Sequence, residues 1–426
     1  MVAREDTPGE KQLVAYVVTG GAPEAEPREL REYLQERLPS YMVPTAFVQL
    51  AALPVTSNGK LDRRALPAPL RDRDLVGDEY VAPRTSVETV LAGIWAEVLG
   101  LERVGVHDNF FELGGDSFSA MQVMAACNHE FGRGLPVTVL FQGSTIETLA
   151  MILASSERDE YRHSPVVPIC IQCSGTPVFL IHPVGGDILC YRSLARELGA
   201  DQPVYGVEAP RRTGRAAGPT IPELAASYIQ AIRAIREEGP YWLAGWSFGG
   251  IVAYEMGRLL SEAGEQMRLV LIDSDAPLYS EPLPISERAL REDFVTHLTQ
   301  VSRINLDIKW DGLWGLEDEQ FWGYISSRLE EAGGASLLRG VAFLEQRYQV
   351  YCANAEALRR FTPVPYNGSK MILRANLRSE ADPALGWGAL IRDLRVLEVR
   401  GDHYSILELP AVKRVARQCL DYFQCP

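Results

Sequence analysis

The chain has no apolar run approaching the roughly 20 residues needed to cross a bilayer. It also lacks an excess of basic charge. Lys and Arg number 42 against 56 Asp and Glu, a formal net charge of −14, whereas a surface for nucleic-acid phosphates needs clustered Lys and Arg. Neither a membrane nor a nucleic acid is therefore expected as a partner. Cysteine is sparse, seven residues at irregular spacing, which excludes a disulfide framework. The lone C-x-x-C of Cys170 and Cys173 has no second pair to complete a zinc site, so packing is expected there and no metal. The opening Met1-Val2-Ala3-Arg4-Glu5-Asp6 does not have the apolar core of a signal peptide, and a soluble, cytoplasmic chain is expected. Histidine is scarce too. With only six in 426 residues, each can be weighed separately as a base.

What is present begins with a glycine-flanked serine. Gly245-Trp246-Ser247-Phe248-Gly249-Gly250 follows the apolar run Tyr241 to Ala244 and precedes the apolar helical stretch Ile251 to Leu260. In a G-x-S-x-G pattern the small residues let the backbone double back between a buried strand and a helix. The turn exposes the Ser247 hydroxyl, and the helix N-terminus offers backbone N–H groups to a developing oxyanion. A second strand-like run, Met267 to Ile272, ends in Asp273-Ser274-Asp275. Strand, elbow, helix, strand and acid is the order of an α/β-hydrolase, which a histidine on a loop after a late strand completes. His403 qualifies, following Leu394 to Val399 and the turn Arg400-Gly401-Asp402. His107 and His129 lie far upstream, His163 in a polar stretch and His297 in a helical one. Asp275, and Asp382 after the run Met371 to Leu373, compete with Asp273 for the acid; the end of a buried strand holds a carboxylate better than a loop, which favours Asp273. Val178 to Ile181 runs into His182-Pro183-Val184-Gly185-Gly186. In this fold that loop supplies one oxyanion N–H, assigned to Val184 with Phe248 as its partner, while His182 is expected to hold the loop in shape.

Length suggests about three domains. From residue 176 strands and helices alternate, the mark of a largely parallel sheet covered on both faces. An insertion over 277–365 carries Phe294, Trp310, Trp314, Phe321, Trp322 and Tyr324; most are expected to pack its own core and one or two to line a channel. Upstream, Thr85 and Glu88 form a capping box ahead of the apolar face Val87, Leu91, Ile94, Val98 and Leu99. The run Asp108-Asn109-Phe110-Phe111-Glu112-Leu113-Gly114-Gly115-Asp116-Ser117-Phe118 then delivers a serine to the start of a helix spanning Ser117 to Phe131. Before it, a strand is expected over Gln12 to Val18 and a helix over Glu26 to Leu38.

Three resemblances follow from these residues. Leu38-Pro39-Ser40-Tyr41-Met42-Val43-Pro44 and Pro54-Val55-Thr56-Ser57-Asn58-Gly59-Lys60-Leu61-Asp62-Arg63 resemble the C-terminal subdomain of nonribosomal peptide synthetase adenylation domains. By that likeness Lys60 matches the lysine that reaches the acyl carboxylate and phosphate. With no nucleotide-binding core ahead of it, the segment is expected to be an inert remnant. The run ending in Ser117 and Phe118 resembles the peptidyl carrier protein motif, with Phe118 where that family often has leucine; Ser117 is thereby implied to carry 4'-phosphopantetheine. The last domain resembles the type I thioesterases that terminate peptide and polyketide assembly lines, in which the insertion is a lid.

The expected fold class is multidomain: a small α+β remnant (1–66), a linker (67–84), a four-helix carrier bundle (85–154), a second linker (155–175) and an α/β-hydrolase with a helical lid (176–426). The resemblance implies release of a peptidyl thioester through Ser247, His403 and Asp273, by hydrolysis or macrocyclisation. It implies upstream synthetase modules, a phosphopantetheinyl transferase and a peptidyl substrate as partners. Two rival readings are a stand-alone serine esterase and a carrier or docking fragment with an idle hydrolase domain.

Overall fold

The structure, a computed structural model, describes the chain except residues 8–9, 19–29, 31–32, 35–43, 45, 51, 56–60, 64, 68–79, 116, 134, 136, 155–163, 172–173, 200–201, 211–217, 279–285, 303, 305, 333–340, 369, 379–381 and 426. Lys60, the Asn58-Gly59 turn and most of the helix expected over Glu26 to Leu38 lie outside the described residues. Two compact units emerge, Met1–Ser155 with Leu329–Leu337, and Ser156–Arg328 with Leu338–Pro426.

In the first unit β1 (Val2–Thr7) pairs antiparallel with β2 (Glu10–Val17), which pairs parallel with β3 (Ala46–Gln49). A helical group follows: α1 (Ser86–Leu99), α2 (Ser117–Phe131), α3 (Val139–Gln142) and α4 (Ile146–Ala154). The capping box forms, with Thr85 Oγ1 accepting from Glu88 N–H at 3.1 Å and Glu88 Oε2 accepting from Thr85 N–H at 3.0 Å. The inward face of α1 is offset from the expected one. Glu88, Leu91, Ala92 and Trp95 are buried, while Val87, Ile94, Val98 and Leu99 are half-buried. Trp95 draws the helix round by packing edge-on to the fully buried Phe110, ring centroids 5.0 Å apart.

The second unit runs β4 (Val166–Cys170), β5 (Val178–Ile181), α5 (Arg192–Leu198), β6 (Val204–Val207), α6 (Ile221–Arg233), β7 (Tyr241–Trp246), α7 (Phe248–Glu262), β8 (Met267–Ile272), α8 (Glu287–Ser302), α9 (Asp318–Glu331), α10 (Val341–Arg359), β9 (Lys370–Ala375), β10 (Leu394–Val399) and α11 (Ala411–Phe423). Its seven-stranded sheet has the order β10-β9-β8-β7-β5-β6-β4, parallel throughout except for β4 against β6. Strands β5 and β7 are buried along their whole length, which is why they read as unbroken apolar runs. After β5 the chain builds outward to β6, then returns to lay β7 on the other flank of β5. That reversal opens a crevice at the carboxyl ends of β5 and β7, where open α/β sheets place their ligands.

Helices α8, α9 and α10 fill the insertion between β8 and β9. Their aromatics form a core of their own: Phe294, Phe321 and Trp322 are buried, with Phe321 and Trp322 edge-on at 4.8 Å, and Trp310 stacks on Trp314 at 5.3 Å. Arg291 lies over the Phe321 ring at 4.5 Å and bonds Asp318 at 2.5 Å, tying α8 to α9. No helix among the described residues is long and apolar enough to cross a membrane.

Candidate active site

Ser247 sits at the turn from β7 into α7 with φ 54° and ψ −125°. Three glycines allow it. A Cβ on Gly245 would collide with the backbone of Gly249 and Gly250, one on Gly249 with the Ile181 carbonyl, and one on Gly250 with the Ser274 side chain. The turn is pinned by Ser247 N–H to the Ile272 carbonyl (3.0 Å) and by Ser274 Oγ–H to the Ser247 carbonyl (2.7 Å). Behind it Tyr191, fully buried, accepts from Trp246 N–H at 2.7 Å and donates to the Ile181 carbonyl at 2.6 Å, bridging the diverging ends of β7 and β5.

Asp273 follows β8 and also has a positive φ, 44°. A non-glycine residue in that region costs on the order of 1–3 kcal/mol, and such strain collects at functional sites. The fully buried Asp273 accepts from the Ala375 N–H at 2.8 Å through Oδ1, and from His403 Nδ1 at 2.7 Å and Arg378 Nη1 at 3.1 Å through Oδ2. Because a carboxylate only accepts, Nδ1 carries the proton and Nε2 of neutral His403 is left as the acceptor. The imidazole is held from behind by Trp246, whose ring lies 4.9 Å away and whose Nε1–H donates to the His403 carbonyl at 2.9 Å. The rival carboxylates are engaged elsewhere. Asp275 binds Arg378 Nη2 at 2.8 Å, and Asp382 caps the Ala384 and Gly386 N–H groups at 2.9 and 2.7 Å, bonds that hold its carboxyl below the usual range.

Ser247 and His403 line one cavity of about 280 Å³, together with Pro183, Val184, Trp246, Tyr404 and, from the lid, Asp293, Thr296, His297 and Tyr351. Its aromatic walls are thus Trp246, Tyr351 and Tyr404, and none of the six insertion aromatics singled out in the sequence is among them. Phe248 opens α7, whose N-terminal N–H groups have no partners within the helix; Val184, on the loop after β5, lines the cavity. His182 is fully buried, its ring nitrogens 2.7 Å from the Pro183 carbonyl and from Tyr228 Oη, and burial lowers its pKa to about 4. It braces the loop as a neutral ring. His297, set aside in the sequence for its helical setting, faces the same cavity; burial, helped by Arg347, lowers its pKa to about 4. Arg378, Tyr191 and His297 carry no local sequence signal, since each acts only through contacts made by the folded chain.

In the first unit, Gly114 (φ 98°) and Gly115, where a Cβ would collide with the Phe110 ring, turn the chain into α2 with Ser117 as its first residue. Asp116 and the Ser117 side chain lie outside the described residues. Ser117 begins a 15-residue helix, and the positive end of a helix dipole suits a phosphodiester on that serine, so the position fits 4'-phosphopantetheine.

Strand order, elbow and the aspartate–histidine bond define an α/β-hydrolase of the serine type. The thioesterase domain family matches residues 176–421, the phosphopantetheine attachment site family residues 89–153 and the AMP-binding enzyme C-terminal domain family residues 1–60. The chain belongs to the thioesterase family, and the three domains in this order are those of a nonribosomal peptide synthetase termination region. It is 41% identical over 295 residues to malpinin synthetase of Mortierella alpina, covering 65% of this chain and 4% of that protein. It is 40% identical over 294 residues to a dimodular nonribosomal peptide synthase of Bacillus subtilis (strain 168), covering 68% of this chain and 12% of that one. Among solved structures, a holo four-domain nonribosomal peptide synthetase bound to AMP and glycine is similar over 100% of this chain and 32% of its own, at 32% identity and TM-score 0.61. The chain thus spans a small fraction of the relatives it matches.

Proposed function

We propose that the chain receives a peptidyl thioester on its carrier and releases the peptide through Ser247. The observation that carries this reading is the Asp273–His403 bond beside a cavity that Ser247 shares, with both Ser247 and Asp273 in positive-φ backbone. The proposed boundaries are those expected from the sequence, with linkers at 67–84 and 155–175, except that β4 (Val166–Cys170) is a strand of the hydrolase sheet and is assigned to the hydrolase, which shortens the second linker to 155–165. A covalent link between carrier and hydrolase would give the carrier a high effective concentration at the hydrolase.

Bound at Ser117, 4'-phosphopantetheine supplies the thiol on which the acyl group is carried. In the acylation step Ser247 Oγ attacks the thioester carbonyl while His403 Nε2 takes its proton. Asp273 keeps the proton on Nδ1 and stabilises the imidazolium. The N–H groups of Val184 and Phe248 receive the oxyanion. As the C–S bond breaks, His403 returns the proton to the departing sulfur, leaving an ester on Ser247. A second nucleophile then frees the product, water giving a linear acid and an amine or hydroxyl of the bound acyl group a macrocycle. Upstream synthetase modules would supply the peptide and a phosphopantetheinyl transferase the prosthetic group.

The two serines should fail separately. Ser117→Ala is expected to abolish loading by a phosphopantetheinyl transferase yet leave turnover of small soluble thioesters unchanged. Ser247→Ala should load normally and release nothing. Loss of small-substrate turnover in Ser117→Ala would refute this division, and a chain that gains no prosthetic-group mass would favour the stand-alone esterase.

A further inference from the structure

The loop that carries Val184 is gripped by the lid. Along α10, Arg347, Val350 and Asn354 share one helix face. Asn354, 4% exposed, donates from Nδ2 to the Val184 carbonyl at 2.9 Å. The Arg347 guanidinium pairs with the Asp187 carboxylate at the far end of the loop. Between them the Val350 side chain occupies the space a Cβ on Gly186 would need, and Gly186 itself has φ 85°. From α8, His297 Nε2 stands 3.0 Å from the position of a Cβ on Gly185. The loop is braced internally by Gly186 N–H to the Pro183 carbonyl and Ala209 N–H to the Gly186 carbonyl, both 2.9 Å. The bond to the Val184 carbonyl, however, comes from a side chain of the insertion, 170 residues away.

We infer that Asn354 is a positioning residue for the oxyanion-binding N–H of Val184, so that α10 couples the seating of the lid to the oxyanion hole. The inference rests on the serine-hydrolase reading above. A hole works only if its donors are held within about 0.5 Å of the oxyanion position. Asn354 anchors the Val184 carbonyl and so restrains rotation of that residue, while the Arg347–Asp187 pair fixes the next turn of the loop. Without the amide donor the peptide plane of the Val184 carbonyl turns about the Val184 Cα to find another, and the shift of that Cα tilts the adjoining plane, which carries the Val184 N–H.

The test uses the full chain with Asn354→Asp, which keeps the shape and loses the donor, and Arg347→Met as a second variant that leaves the Asn354 amide in place. Two quantities are compared: kcat and KM for a soluble acyl thioester, and the inhibition constant of an acyl boronic acid whose tetrahedral Ser247 adduct places an oxygen in the hole. Asn354→Asp is expected to lower kcat about 10-fold with KM unchanged and to weaken the boronate by the same factor, because both depend on the hole. Arg347→Met should show a smaller, equally parallel loss. A fall in kcat with unchanged boronate affinity, or variants that match the wild type in both, would overturn the inference. Failure of the underlying reading looks different: the wild-type chain would then form no boronate adduct on Ser247.

Discussion

Asp273 divides its work between two oxygens. Oδ1 is spent on the Ala375 N–H of the neighbouring strand, which locks the carboxylate in place, and Oδ2 faces both His403 and Arg378. Neutralising it should leave the histidine in the wrong tautomer. Asp273→Asn is therefore expected to slow acylation of Ser247 on the order of 10⁴-fold, while Asp275→Asn and Asp382→Asn lose far less. Single-turnover rates in the three folded variants check this, and a crippled Asp382→Asn would move the acid to the later strand. His182 makes a second residue-level prediction. Its pKa falls from 6.5 to about 4 on burial, so between those values the unfolded chain binds a proton that the folded one does not. The stability it contributes is complete above about pH 6.5 and is lost as pH falls toward 4, on the order of 3 kcal/mol in all. Histidine NMR titration should show two rings still neutral at pH 5.5, those of His182 and His297, of which one is missing in His182→Gln; a His182 that titrates near 6.5 contradicts its role as a neutral brace. Ser247, Asp273 and His403 were legible because each ends or follows an apolar run that sets its place. Arg378 and Asn354 were not, because their partners lie 105 and 170 residues away and nothing in the local pattern marks the pairing.

At the scale of elements, the elbow works because α7 approaches β7 too closely for a side chain at Gly245 and β5 too closely for one at Gly249. Gly249→Ala would press a methyl group into the Ile181 carbonyl at the end of β5, backbone that cannot yield as a side chain could. We expect it to destabilise the second unit by about 3 kcal/mol or more, read as a drop of roughly 6–12 °C in its melting transition. An unchanged transition would mean the strand and helix can separate without cost. Strands β5, β7 and β9 were readable from their apolar runs, since burial on both faces leaves little else for a sequence to encode; β4 was not, because it is a short edge strand within a stretch that reads as a linker. The lid was harder. Its helical periodicity was visible, but which aromatic faces the cavity depends on how α8 and α10 lean over Ser247. The walls fall to Tyr351, on α10, and to Trp246 and Tyr404, outside the insertion.

At the scale of the whole molecule, a serine at the head of a carrier helix and a serine at a hydrolase elbow occur in one chain, joined through a stretch without regular apolar patterning. Their cooperation is the central claim, and it requires an acyl group to pass from one serine's arm to the other serine's oxygen. The direct measurement is peptide mapping by mass spectrometry after the chain is loaded by a phosphopantetheinyl transferase with a peptidyl-pantetheine. In wild type the acyl mass should leave the Ser117 peptide, appear on the Ser247 peptide and then be lost as free product. In His403→Ala it should stay on the Ser117 peptide. Release of product at the wild-type rate from Ser247→Ala, or an acyl group that never reaches the Ser247 peptide in wild type, would contradict the account.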